Sequence, residues 1–173
     1  MPVQTAVRID LISDTSTRPT LPMRRAMAEA EVGDEQRGED PSVNQLCERS
    51  AALMGQDSAI FLPSGTMCNQ IAMATHCQPG DEIITAAASH IIGSEAAGAA
   101  VFARSVIREI SCCRGIFSGD EVSAAVRPRN PKSPRSRLVE VEQTNNRGGG
   151  SVWPLRAILS VTEAAKANDL ALH

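Results

Sequence analysis

The chain has 173 residues, 42% of them hydrophobic and 21% charged, with a formal net charge of −3. That balance suits a soluble globular domain or one large part of a bigger one, and without a basic, aromatic-interleaved run it excludes an electrostatic case for nucleic acid. No apolar stretch approaches the roughly 18 residues of a membrane span and residues 1–9 lack a signal-peptide core, while the five cysteines (Cys47, Cys68, Cys77, Cys112 and Cys113) form no CxxC pair, so no metal site is expected and reduced thiols in the cytoplasm are.

In chain order, residues 21–30 read as a helix rich in Ala, Met, Glu and Arg, with Gly33 beyond its end. Asp40 and Pro41 are an N-cap and first-turn pair for a second helix. In it Val43, Leu46, Cys47, Ser50, Leu53 and Met54 recur at helical spacing up to a stop at Gly55. Residues 58–62 (SAIFL) read as a buried strand, 66–77 as a helix with Met67, Ile71 and Ala74 on one side, and Pro79-Gly80-Asp81 as a turn. Residues 82–86 form a strand, 91–103 a small-residue helix, and 106–110 another strand. Ser118 and Glu121 fit a capping box for a helix to Val126. The Pro- and Arg-rich stretch 127–136 reads as an exposed loop within the domain. Residues 138–141 form a strand, 145–150 a Gly-rich turn, and 155–168 a helix with Ile158, Leu159, Thr162 and Ala165 inward. Residues 170–172 open a last strand. Alternating strands and helices predict an α/β fold with a mostly parallel sheet and helices on its faces.

Two features stand out for chemistry. Ser64-Gly65-Thr66 lies where a strand-like run gives way to a helix. Unpaired amides and the helix dipole there suit a phosphate, although Ser and Thr also cap helices generally. His90 follows a strand and opens the next helix, which is the carboxyl edge where ligands of parallel sheets bind; a capping or core role is the other reading. His76, near a helix end, suits a solvated or dipole-stabilising role. Ser13-Asp14-Thr15-Ser16-Thr17 reads as a hydroxyl-rich turn.

Together these segments resemble one family. Ser13-Asp14-Thr15 with Thr17-Arg18-Pro19, Gly38-Glu39-Asp40-Pro41 with Val43-Asn44, and Pro63-Ser64-Gly65-Thr66-Met67 with Asn69-Gln70 are similar, in order, to motifs of the low-specificity threonine aldolases. So are His90 with Glu95-Ala96 and Gly98-Ala99-Ala100, and Glu142, Thr144, Asn146 and Gly148-Gly149-Gly150. The resemblance covers residues 9–173 and implies the amino-terminal part of a fold-type-I, aspartate-aminotransferase-like large domain, with an arm over roughly residues 1–40. It implies a pyridoxal 5′-phosphate-dependent lyase that cleaves L-threonine or L-allo-threonine by a retro-aldol reaction to glycine and acetaldehyde, in threonine catabolism and glycine biosynthesis. It also implies a small amino acid as substrate and a cytoplasmic homo-oligomer, a dimer or tetramer. By position, Gly65 and Thr66 would hold the cofactor phosphate, His90 would stack on the cofactor ring as the catalytic candidate, and Ser13 would help bind the substrate carboxylate.

The family's Schiff-base Lys, and the Asp that pairs with the ring nitrogen, would lie beyond His173. The chain's two lysines, Lys132 and Lys166, are not placed to substitute, so the expectation is a truncated chain, inactive alone. Ile12, Gln36-Arg37 and Asn145 depart from the residues usual in the family, and Asn145 replaces a His, a role in which Asn cannot act as a base. Two alternatives follow: a non-catalytic remnant or subunit that pairs with a full-length paralogue, and a different β-eliminating lyase that uses the same cofactor.

Overall fold

Two helices and two short 3-10 turns form the first of two units, which divide after Phe61 in a computed structural model that describes residue 9 and residues 13–173. Ile12 lies outside the described residues. Thr20 caps α1 (Leu21–Glu29), with its hydroxyl accepting from the Met23 amide at 3.4 Å. Asp40 caps α2 (Pro41–Met54) as its sequence predicts. One carboxylate oxygen accepts from the Val43 amide at 2.9 Å and the other from the Gly33 amide at 3.1 Å. These bonds hold the Asp40 carboxyl below the usual carboxylate range. Gly55 ends α2 at φ 64°, a left-handed conformation that suits glycine.

The apolar stripe of α2 contributes less than its spacing predicts. Val43, Cys47 and Ser50 are half-buried and Ala51 is buried, but Leu46, Leu53 and Met54 are exposed. Likewise, α1 buries none of its residues. A helix removes from water only the face that another element covers.

The expected strand at 58–62 does not form. The segment has no regular secondary structure, and Ile60 is 77% exposed and Phe61 44%. An apolar run becomes a strand only where a neighbour satisfies its backbone groups, and the observed sheet pairs other segments.

Those segments belong to the second unit: β1 (Glu82–Ala86), β2 (Val106–Ile110), β3 (Ser136–Val139) and β4 (Ala171–Leu172). They form a four-stranded sheet in the order β2-β1-β3-β4, with every pairing parallel. The central strand β1 is buried along its whole length. Side chains alternate across the sheet, so its two faces hold separate cores. Ile83 and Leu138 pack with Met73, Cys77, Ile91 and Ala99, from α3 (Gly65–His76), α4 (His90–Gly93) and α5 (Gly98–Val101). Ile84 and Val139 pack on the other face with Phe117, Val122, Trp153 and Val161, around α6 (Gly119–Ala125) and α7 (Leu155–Ala167). Phe117 and Trp153 meet edge to face, with centroids 4.9 Å apart. This is the mostly parallel sheet with flanking helices that the alternating pattern predicts.

Other expectations shift in detail. The single helix predicted over 91–103 is two short ones, because Ala96 and Ala97 take positive φ values of 50° and 59°. In α3 the face bearing Met67, Ile71 and Ala74 is exposed, and Met73 is the buried residue. In α7 the buried residues are Val161, Ala164 and Ala165. Leu159 is 52% exposed, because it lies about 160° around the helix from Val161.

The loop 127–136 is exposed at its tip and pinned at both ends to the amino edge of β1. The Arg127 Nε donates to Glu82 at 2.6 Å, and Arg135 donates twice to Asp81, at 2.9 and 2.8 Å. Burial alone would raise the Asp81 carboxyl, but Arg135 and the Gln78 amide outweigh it and hold it below the ordinary value.

Candidate functional site

Open α/β sheets bind ligands at the carboxyl ends of their strands, between neighbours whose connections leave on opposite faces. β1 and β3 are such a pair. The chain passes from β1 to α4 and α5 on one face, and from β3 through residues 140–154 to α7 on the other.

Side chains bridge these two strand ends. Glu140, 4% exposed, accepts from the Ser89 hydroxyl at 2.8 Å and from the Thr85 hydroxyl. Burial pushes its carboxyl up; the two hydroxyls oppose this, and the charges of Glu142 and Glu95 add to it. Glu142 accepts from the His90 amide at 2.8 Å, from Asn145 Nδ2 at 2.9 Å and from the Asn146 amide at 2.8 Å. Asn145 is fully buried, and its Oδ1 accepts from the Gly148 amide at 2.7 Å. Both ends of its amide therefore serve the turn.

His90 opens α4. Its Nδ1 lies 2.8 Å from Glu95 Oε1; the His90 side chain is 40% exposed and that of Glu95 fully buried. Asn69, in the second turn of α3, donates Nδ2 to the same oxygen at 2.7 Å. Asn69 Oδ1 in turn lies 3.0 Å from Nε2 of His173, just past β4. Burial and His76 push the His173 imidazole below its ordinary value, and Glu95 opposes them. The second Glu95 oxygen is buried without a partner among the described residues.

At the amino end of α3, the Ser64 hydroxyl accepts from the Met67 amide at 3.2 Å, the capping role read from the sequence. The Gly65 and Thr66 amides, ahead of the first intrahelical bond, have no partner among the described residues. Gly65 is exposed, and a Cβ built on it would meet no atom within 4 Å.

Gly65, Thr66 and His90 thus lie at the same edge of the sheet, linked through Asn69 and Glu95. Ser13 lies in the other unit, where its hydroxyl accepts from the Thr15 amide at 3.2 Å and caps a 3-10 turn over Asp14–Ser16. Lys132 is exposed in the loop by the amino edge, and Lys166 is exposed in the last turn of α7. The cysteines are unpaired, and burial raises the thiols of Cys77 and Cys112. Among the described residues no group of three or more His, Cys, Asp or Glu is placed to hold a metal, and no helix is long and apolar enough to cross a membrane.

Sequence reasoning assigned no role to Asn69, Glu95, Glu142 or His173. Asn69, Glu95 and Glu142 were legible only as members of the family motifs, without a partner or a task. In a continuous helix Glu95 would stand about 140° around the axis from His90; the break at Ala96 and Ala97 accompanies their contact. The donor set fits a phosphate-bearing ring cofactor: open backbone amides and a hydroxyl at a helix amino end, and an anchored, half-exposed imidazole beside them.

Residues 10–173 match the family described as Beta-eliminating lyase. The chain is 39% identical over 166 residues to the low specificity L-threonine aldolase of Escherichia coli K12, covering 95% of this chain and 49% of that protein. Identity is also 39% over 183 residues to a probable low-specificity L-threonine aldolase 2 of Arabidopsis thaliana, covering 100% and 50%. Among solved structures, the Leishmania major threonine aldolase superposes with a TM-score of 0.74 at 19% identity, over 87% of this chain and 43% of that one. A Thermus thermophilus aspartate aminotransferase gives 0.62 at 20% identity, over 86% and 40%. These structures share the fold, which is aspartate-aminotransferase-like. The chain spans about half the length of the curated relatives it matches.

Proposed function

The chain belongs to the β-eliminating lyase family, and from that premise we propose that the complete protein is a pyridoxal-phosphate-dependent lyase of threonine-aldolase type. It cleaves L-threonine or L-allo-threonine to glycine and acetaldehyde, as a cytoplasmic homo-oligomer. The observation that carries this reading is the hydrogen-bonded run His90–Glu95–Asn69–His173, which joins the phosphate-suited end of α3 to the turn after β1.

Bound pyridoxal phosphate supplies an electron sink for the bond cleavage. In this reading the Gly65 amide and the Thr66 amide and hydroxyl hold its phosphate, and His90 covers its ring. His90 also holds or passes the proton of the substrate hydroxyl, a task Asn145 cannot share because an amide does not titrate. Ser13 helps bind the substrate carboxylate, and residues 1–173 act as one incomplete large domain with an amino-terminal arm. Neither Lys132 nor Lys166 lies at the carboxyl edge, so the 173-residue chain by itself turns over no substrate.

The test supplies pyridoxal phosphate with L-threonine or L-allo-threonine to the complete protein and follows acetaldehyde by coupled reduction. Acetaldehyde is expected, with a large loss of kcat in His90→Ala. Its absence with both substrates would sink the reading. The 173-residue chain is expected to form no glycine above the rate of free cofactor, and turnover well above that rate would refute its inactivity.

A further inference from the structure

His90 and Glu95 are five residues apart; α4 ends at Gly93 between them, and two alanines with positive φ follow Glu95 directly. The carboxylate that reaches His90 is fully buried. No arginine or lysine lies within salt-bridge distance of it among the described residues. Its Oε1 faces two donors, Asn69 Nδ2 at 2.7 Å and His90 Nδ1 at 2.8 Å, while Oε2 has no partner. Gln70 adds a second tie from α3, its Nε2 donating to the Glu95 backbone oxygen at 3.4 Å. Gly98, directly after this turn, leaves no room for a side chain: a Cβ there would stand 2.6 Å from Gln70 Nε2. The turn is packed against α3 closely enough to fix where the carboxylate sits.

We propose that Glu95 is a positioning residue for His90: clamped by Asn69, its buried carboxylate takes the imidazole's Nδ1–H, which fixes the ring's orientation and leaves Nε2 as the unprotonated nitrogen. A carboxylate only accepts hydrogen bonds, so the proton of the neutral ring must sit on Nδ1. The hydrogen bond on one imidazole nitrogen thus decides the state of the other. Asn69 lies one turn beyond Gly65 and Thr66 on the same helix. The Asn69–Glu95–His90 chain therefore locks the imidazole to the helix end that suits a phosphate, which sets the ring a fixed distance from that end. Any benefit to cofactor binding rests on the function proposed above; the positioning itself does not.

The test is long-range proton–nitrogen NMR of the 15N-labelled 173-residue chain, at a pH where His90 is neutral. Nδ1–H is expected to be the predominant tautomer in the wild type, against the Nε2–H preference of a free histidine side chain. Glu95→Ala is expected to shift His90 to predominantly Nε2–H. Glu95→Gln, which keeps an accepting oxygen, is expected to retain Nδ1–H. A merely structural Glu95 would not move the tautomer. Nε2–H or an even mixture in the wild type overturns the proposal, as does a folded Glu95→Ala chain that keeps Nδ1–H. If Glu95→Ala does not fold, the wild-type and Glu95→Gln spectra decide alone. Failure of the complete protein to bind pyridoxal phosphate, read by its absorbance, sinks the functional reading and leaves the tautomer result standing.

Discussion

Asn145 makes a buried amide essential to a turn rather than to chemistry. Its Nδ2 donates to Glu142 and its Oδ1 accepts from the Gly148 amide, and Gly115 approaches so closely that a Cβ there would stand 2.3 Å from Asn145 Cγ. Asn145→Ala leaves the half-buried Gly148 amide and a Glu142 carboxylate oxygen each short of a partner. A loss of about 1–3 kcal/mol is expected, to be read from the urea midpoint of the 173-residue chain; an unchanged midpoint would contradict this account of the turn. At this scale the sequence is readable where a residue's place along the chain implies its neighbours. Ser64, Asp40 and Ser118 cap helices three residues ahead of the amides they serve, a local rule. His90 follows a buried strand and so reaches the carboxyl edge. Glu95 and Asn69 stand 26 residues apart, and no local pattern announces that pairing.

Among the elements, α6 is the one most fully specified by its own residues. The Ser118 hydroxyl accepts from the Glu121 amide, and Glu121 accepts in return from the Ser118 amide at 2.8 Å. Ser118→Ala removes half of this reciprocal cap. A loss of about 1 kcal/mol is expected, measured by chemical denaturation, with the largest rise in amide exchange confined to the first turn of α6. Protection unchanged there would show the cap to be dispensable. α4 and α5 show the opposite case. Their alanines favour a helix and Gly93 and Gly98 weaken it, and with Glu95 turned inward to His90 and Asn69 the helix stops. The segment at 58–62 has the composition of a strand and lacks a partner. Strand formation needs a second segment, whereas a capped helix carries its hydrogen bonds within itself.

Across the whole molecule, the sheet of the second unit buries an acid between β1 and the segment after β3. Burial is the main cause that raises the Glu140 carboxyl. The folded chain therefore binds that proton more readily than the unfolded one. Stability then falls as pH rises from the ordinary glutamate value of about 4.3 through the higher folded value. Glu140→Gln cannot ionise and lacks this fall. Its urea midpoint is expected to gain on the wild type as pH rises from about 4.3 towards neutrality; a gap constant across that range would mean that Glu140 has no raised value in the folded chain. The sequence by itself determined the alternation of strands and helices, the helix caps, and the family motifs in their order, because each rests on residues a few positions apart or on a pattern repeated along the chain. Tertiary structure alone decided that Glu95 and Asn69 anchor His90, that Glu140 lies buried against Thr85 and Ser89, and that 58–62 stays out of the sheet. Each depends on which distant segments meet at one edge of the sheet, and that meeting is set by packing on its two faces.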